Sequence, residues 1–141
     1  MIDDPLVLVI EDDPPILHII AFFLRQAGFR VEGARFAEEG IASARRTPPS
    51  LILLDLTLPD LDGLTAAALL REDPRLADVP ILLVSGQAAD ELRVKAAITG
   101  AVDFLAKPFT RADLVRRARR WTAARAGSAT HPPKPDDILL G

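Results

Sequence analysis

The stretch Leu51-Ile52-Leu53-Leu54-Asp55-Leu56-Thr57-Leu58-Pro59-Asp60 constrains this chain more than any other. Four apolar residues run into one carboxylate, between Pro48-Pro49-Ser50 on one side and Pro59 on the other. A short apolar run closed by turn residues reads as a strand buried on both faces, and such strands belong to parallel sheets covered by helices. In open α/β sheets, ligands bind in the crevice at the carboxyl ends of the strands. Asp55, the last residue of the run, is expected there with its head in the crevice. A strand-terminal aspartate can equally be no more than a cap, so its meaning depends on what the other strands bring to the same edge.

Leu6-Val7-Leu8-Val9-Ile10 is a second apolar run and ends in Glu11-Asp12-Asp13. Pro14 and Pro15 suit a first helical turn, where a missing N–H does no harm. Ile16, Leu17, Ile20, Phe23 and Leu24 then recur at helical spacing up to Gly28, a C-terminal stop. His18 lies within this helix with no second His or Cys near it, which fits an exposed or side-packed residue better than a ligand. Phe29 to Ala34 reads as a less apolar edge strand, and Glu38 to Arg46 as a short helix. After the Leu51 strand, Asp62-Gly63 marks a turn and Leu64 to Arg71 a helix. Val79 to Val84 is the fourth strand, followed by Ser85-Gly86-Gln87 and a helix from Ala88 to Ile98, closed by Gly100. Ala101 to Ala106 is the fifth strand and runs into Lys107-Pro108. Arg111 to Ala126 is the last helix, with Leu114, Ala118 and Trp121 on one face. Five alternations of strand and helix with short connections specify βαβ units and a parallel sheet with helices on both faces. The expected domain is residues 1–126. Residues 127–141, with three prolines and no periodicity, read as a linker or tail that either docks weakly or leads to an output domain.

Composition narrows the chemistry. At 141 residues the chain fits one domain, and 49% hydrophobic with 26% charged residues is the balance of a soluble globule. Seventeen basic against twenty acidic residues give a net charge of −3, which implies no overall attraction to nucleic acid. The arginines at 116, 117, 119, 120 and 125 spread around the last helix and read as a solvated face rather than a nucleic-acid patch. There are no cysteines, which excludes disulfides and thiolate chemistry. With neither a signal-peptide pattern nor an apolar run near the ~20 residues that cross a bilayer, a cytoplasmic protein is expected.

The strand ends form the informative set. The first strand ends in Glu11 and Asp12, the third in Asp55, the fourth in Ser85 and the fifth in Lys107. Adjacent strands lie about 4.8 Å apart, so these carboxylates fall within the span of one hard cation. Carboxylates so close repel unless something positive sits among them, and Mg²⁺ with oxygen ligands is the natural candidate. A cation that holds phosphate, a carboxylate nucleophile, a hydroxyl and a lysine make up a phosphoryl-transfer site. Glu11-Asp12-Asp13 can also be read as charge complementing a helix dipole, and Lys107 as a surface lysine. No G-x-x-x-x-G-K-[ST] or G-x-G-x-x-G motif opens a helix, which argues against nucleotide use.

From about Leu6 to Ala126 the chain resembles the receiver domains of bacterial two-component response regulators. The matching pieces are Val9-Ile10-Glu11-Asp12-Asp13-Pro14, Leu54-Asp55-Leu56 with Leu58-Pro59-Asp60 and Asp62-Gly63, Val84-Ser85-Gly86, and Gly100-Ala101-Val102-Asp103-Phe104-Leu105-Ala106-Lys107-Pro108-Phe109. The resemblance implies a doubly wound, flavodoxin-like sheet of order 2-1-3-4-5. It implies a signalling domain that catalyses its own phosphorylation and dephosphorylation, with Asp55 accepting a phosphoryl group from a phosphohistidine. Mg²⁺ would be held by Glu11, Asp12, Asp55 and the Thr57 carbonyl. Lys107 would neutralise phosphoryl oxygens beside a cis bond to Pro108. Ser85 and Phe104 would be the switch pair, Gly86 would leave the approach open, and Thr57 and Gln87 would tune loss of the phosphoryl group. The implied partners are a sensor histidine kinase or phosphotransfer protein, and an output domain or partner protein reached through the fourth helix, fifth strand and fifth helix. A homodimer through that face is also implied, with Asp103 and Arg117 suited to pairing across it and Ile98 and Val102 departing from the charged pattern. No direct binding of nucleic acid or membrane is implied. The competing readings are a Mg²⁺-dependent phosphatase with an aspartate nucleophile, which lacks a second carboxylate two residues after Asp55, and a flavodoxin-like redox carrier, which lacks a Ser/Thr-rich phosphate loop.

Overall fold

Apolar runs and helical periodicities convert directly into alternating elements. The computed structural model describes residues 4–128, and side chains as far as 123. The strands are β1 (Leu6–Ile10), β2 (Arg30–Ala34), β3 (Leu51–Asp55), β4 (Ile81–Ser85) and β5 (Asp103–Ala106). The helices are α1 (Pro14–Gln26), α2 (Ala37–Arg46), α3 (Gly63–Glu72), α4 (Ala89–Thr99) and α5 (Arg111–Ser128). All strand pairs are parallel, in the order β2-β1-β3-β4-β5. The expected sheet is present. The Pro-rich stretch from Thr130 to Pro135 and the apolar end beyond it lie outside the described residues.

β3 and β4 are buried along their whole length, as their uninterrupted apolar sequences require, whereas β2 at the edge is largely exposed. Side chains alternate between the two faces of the sheet and build two cores. Leu8, Ile10, Ile52, Leu54, Ile81 and Leu83 pack with α2, α3 and α4. Val7, Val9, Leu51, Leu53, Leu82 and Val84 pack with Ile20, Leu24, Leu114 and Ala118 of α1 and α5.

Element boundaries differ from the sequence expectation where backbone hydrogen bonds go elsewhere. The fourth strand begins at Ile81 rather than Val79, because the Val79 N–H turns back to the Leu76 carbonyl and Pro80 has no N–H. The fifth begins at Asp103 rather than Ala101, whose N–H caps α4 through the Ala96 carbonyl. Gly100 ends α4 with φ of 74°, in the left-handed region that glycine enters without steric cost. At Gly63 a Cβ would lie 2.7 Å from the Leu56 backbone, so the start of α3 can press against the end of β3 only because the side chain is missing.

Two carboxylates organise the loops around β3. Asp62 caps α3 by accepting the Thr65 N–H at 2.9 Å. Asp60 reaches a different helix and accepts the N–H groups of Ala37 and Glu38 at 2.9 and 3.0 Å, which ties the loop after β3 to the start of α2. On the far side of α3, the Arg71 guanidinium donates to the carbonyls of Leu76, Ala77 and Val79 and orders the connection into β4. Asp103 and Arg117 are used within the chain. Their side chains pair at 2.6 Å, and the Trp121 Nε1–H donates to the other Asp103 oxygen at 3.0 Å. The pairing across a dimer implied by the resemblance would have to draw on charges already engaged here. Among the described residues, no helix is long and apolar enough to cross a membrane.

Candidate functional site

The carboxyl ends of β1, β3, β4 and β5 deliver the predicted residues to one place. Glu11 follows β1 directly, its N–H fixed to the Ala34 carbonyl at 2.9 Å. Asp55 is the last residue of β3, and its side chain is 4% exposed. Ser85 ends β4 and is buried, in register with Ala106 of β5. Lys107 comes next in the chain, its N–H donating to the Ser85 carbonyl at 2.8 Å, and the bond to Pro108 is cis. Rigid parallel strands hold the chemistry-bearing groups, and the loops supply the rest.

The side chains converge. Glu11, Asp12 and Asp55 each offer an oxygen within 4.8 Å of the others. The Lys107 Nζ lies 2.5 Å from Glu11 Oε1 and 3.3 Å from Asp55 Oδ2, so one ammonium bridges two buried carboxylates. The other Asp55 oxygen accepts the Thr57 N–H at 2.9 Å and the Thr57 hydroxyl at 3.3 Å. Burial in the first place, and the neighbouring Asp55 carboxylate, push Glu11 from its ordinary 4.5 up to about 7 against the pull of Lys107. Burial alone would lower the Lys107 ammonium, but its hydrogen bond to Glu11 and the charge of Asp55 outweigh that and raise it.

These residues fit a divalent cation. The donors are all oxygen, three carboxylates face one lysine, and the excess negative charge is of the size that a dipositive ion removes. The ends of the site are set by two loops. Thr57, exposed after β3, forms a bridge with Asp62. Gln87, two residues after Ser85, donates its N–H to the Ser85 Oγ at 3.3 Å and turns its side chain toward α4. A Cβ at Gly86 would meet nothing within 4 Å, so that position borders open space. Phe104 is half-buried against the core beneath α4, with the Arg93 guanidinium 6.0 Å from its ring centre.

The sequence suggests a metal-ligating carbonyl and a tuning role for Thr57 but does not reveal the two hydrogen bonds it gives to Asp55. An Asp-x-Thr spacing at a strand end is the available signal, since a hydroxyl residue two positions on can fold back on the carboxylate. Lys95 was also missed. Its Nζ reaches the Gln87 Oε1 at 2.6 Å, from eight positions further on and across a loop.

The chain matches the model of the response regulator receiver domain over residues 7–119. It is similar to the DNA-binding dual master transcriptional regulator RpaA of Synechocystis sp., with 37% identity over 82% of this chain and 48% of that protein. It is similar to the transcriptional regulatory protein PrrA of Mycobacterium tuberculosis, with 36% identity over 92% of this chain and 54% of that protein. The chain thus spans about half the length of the curated relatives it matches. Among solved structures, the receiver domain of sensor histidine kinase PA1611 from Pseudomonas aeruginosa, with a magnesium ion in its active site cleft, superposes with a TM-score of 0.79 at 34% identity. That match covers 85% of this chain and 98% of the other. The chemotaxis protein CheY4 of Vibrio cholerae gives a TM-score of 0.79 at 26% identity, covering 83% and 98%. With the fold, the residues at the strand ends and the family match in agreement, this chain belongs to the response regulator receiver domain family.

Proposed function

We propose that Asp55 is the phosphoacceptor of this receiver and takes a phosphoryl group from the phosphohistidine of a sensor histidine kinase or phosphotransfer protein. The observation that carries this reading is the buried Asp55 carboxylate, held by Thr57 on one oxygen and Lys107 on the other, with Glu11 and Asp12 within reach. An Asp55 oxygen bonds to phosphorus as the P–N bond breaks, and the imidazole leaves with the bonding pair. Positioning and charge supply the catalysis, because a loose phosphoryl transition state asks little else of the protein. Lys107 neutralises charge on the phosphoryl oxygens and is freed to do so as its bond to Asp55 yields.

Mg²⁺ would be held by Asp12, Asp55 and the Thr57 carbonyl, with Glu11 through water, and when bound it neutralises phosphoryl oxygens and aligns them with the carboxylate. Thr57 occupies the position where an aspartate-based phosphatase needs its second carboxylate. Both its N–H and its hydroxyl donate, which favours an acceptor module over an enzyme with turnover.

Phosphorylation adds about −1.5 to −2 charges and three acceptor oxygens at Asp55. The Ser85 hydroxyl then turns to donate to the new group, and Phe104 moves inward behind it. A complete switch of a two-state element takes about 5.5 kcal/mol of differential interaction, more than one hydroxyl and one ammonium supply, so partner binding or homodimerisation finishes the shift. The output is an attached domain or partner protein acting in the cytoplasm through the face of α4, β5 and α5, and the domain itself contacts neither nucleic acid nor membrane. Incubation with acetyl phosphate and Mg²⁺ followed by intact mass spectrometry tests the assignment. The expected result is one phosphoryl group on the wild type and none on Asp55→Asn. A label that survives the substitution would overturn it.

A further inference from the structure

Lys95 is an α4 residue with its ammonium beside the phosphoacceptor site. It donates to the Gln87 Oε1 at 2.6 Å, and Gln87 in turn donates its backbone N–H to the Ser85 Oγ at 3.3 Å. On the opposite loop, Asp62 is held low chiefly by the Thr65 N–H and hydroxyl, and Lys95 is close enough to add to that effect. Asp62 bridges to Thr57, and Thr57 bonds Asp55. The Lys95 ammonium is therefore tied to the loop after β4, and its charge is also felt at Asp62 on the loop after β3.

An ammonium has three donors and no acceptor, so the Gln87 atom facing it is the carbonyl oxygen, whichever way the amide is assigned. That fixes the direction of the carboxamide. Its only acceptor points to α4, and its NH₂, which can only donate, is what remains for the site. Loss of a phosphoryl group from Asp55 needs the reverse. A water oxygen bonds to phosphorus as the P–O bond to Asp55 breaks. The carboxylate leaves with the electron pair, and the water's protons pass to the orthophosphate and solvent. A side chain that holds the attacking water must accept a hydrogen bond from it, and the Gln87 oxygen, tethered to Lys95, is turned toward α4 instead.

We propose that Lys95 is a positioning residue that prolongs the life of the phosphoryl group on Asp55 by holding the Gln87 oxygen against α4 and away from attacking water. This role rests on Asp55 being the phosphoacceptor. It also couples lifetime to α4: a partner that draws Lys95 away from Gln87 shortens the signal, and one that seals the contact extends it.

The test is the first-order decay of phosphoryl-Asp55 in the full chain with Mg²⁺ after the acetyl phosphate donor is removed. Wild type is compared with Lys95→Met, Lys95→Arg, Gln87→Ala and the Lys95→Met/Gln87→Ala double variant. Lys95→Met keeps the stem but frees the amide, and decays about five-fold faster, the effect of one positioned hydrogen bond. Lys95→Arg decays close to the wild-type rate, because a guanidinium again donates to the oxygen. In the Gln87→Ala background, Lys95→Met brings no further acceleration, which separates the tether from simple removal of a cation. Lys95→Ala replaces Lys95→Met if the latter does not fold. Equal decay of wild type and Lys95→Met, or the same acceleration with and without Gln87, overturns the role of Lys95 and leaves the phosphoacceptor standing. Failure of the wild type to label at all overturns both.

Discussion

α1 and α4 flank the same sheet end but are held in different ways. α1 buries Ile20, Ala21 and Leu24, and packs Ile16, Leu17 and Phe23 around them. α4 buries only Leu92 and Ala96, while Val94 and Ile98 stand 59% and 68% exposed. Its further ties are the Lys95–Gln87 contact, the Arg93 guanidinium over the Phe104 ring and the capping at Gly100. A helix fixed by a wide apolar face resists displacement, whereas one fixed by two side chains and a hydrogen bond can shift at modest cost. The site therefore has one rigid wall, carrying Glu11 and Asp12 just before α1, and one yielding wall, carrying Ser85 and Gln87 just before α4. Stable ligand geometry belongs on the first and conformational response on the second.

Truncations at the two walls should differ in kind. Leu24→Ala opens a cavity under α1 and is expected to cost about 3–4 kcal/mol, seen as a global loss of stability in urea denaturation. Leu92→Ala removes the largest anchor of α4 and is expected to cost about 2–3 kcal/mol. Its signature is local, with amide exchange in residues 89–99 accelerating well beyond that in α1. Equal, global acceleration in both variants would show that the two helices are held alike.

The rigid wall also carries a pH dependence. Glu11 titrates at about 7 in the fold against an ordinary 4.5, raised first by burial. The folded state thus binds more protons than the unfolded chain between these values, and the ion-free protein loses stability as pH rises from about 4.5 to about 7. Denaturation midpoints at pH 5 and pH 7.5 in chelator check the sign. Smallest of all, Ile98→Ser is expected to change stability by less than about 0.5 kcal/mol, because the side chain is already in water. A larger loss would mean that Ile98 is covered in solution.

Residues whose position follows from strand order were legible in the sequence. Asp55, Ser85 and Lys107 each end or follow an apolar run, and parallel strands must bring such ends to one edge. Glu11 and Asp12 follow by the same logic. Contacts made by loops turning back on themselves were not legible. Nothing in the sequence marks Asp60 as the cap of α2, 23 residues earlier, or Arg71 as the clamp of the connection into β4. Asp103 and Arg117 are a third case: the sequence suits their charges to pairing between chains, and it does not reveal that the turn from β5 into α5 also brings them together within one chain, beside the Trp121 indole.

If the reading of the site is right, the ends of β1 and β3 hold a single divalent ion beside Asp55, with Ser85 and Lys107 on the side of the phosphoryl group. A ¹H–¹⁵N NMR titration with Mg²⁺ tests it most directly. Saturable shifts are expected, concentrated at residues 11–13, 55–57, 85–87 and 107, with the response lost in Asp12→Ala. Shifts scattered over other faces of the molecule, or none at millimolar Mg²⁺, would contradict it.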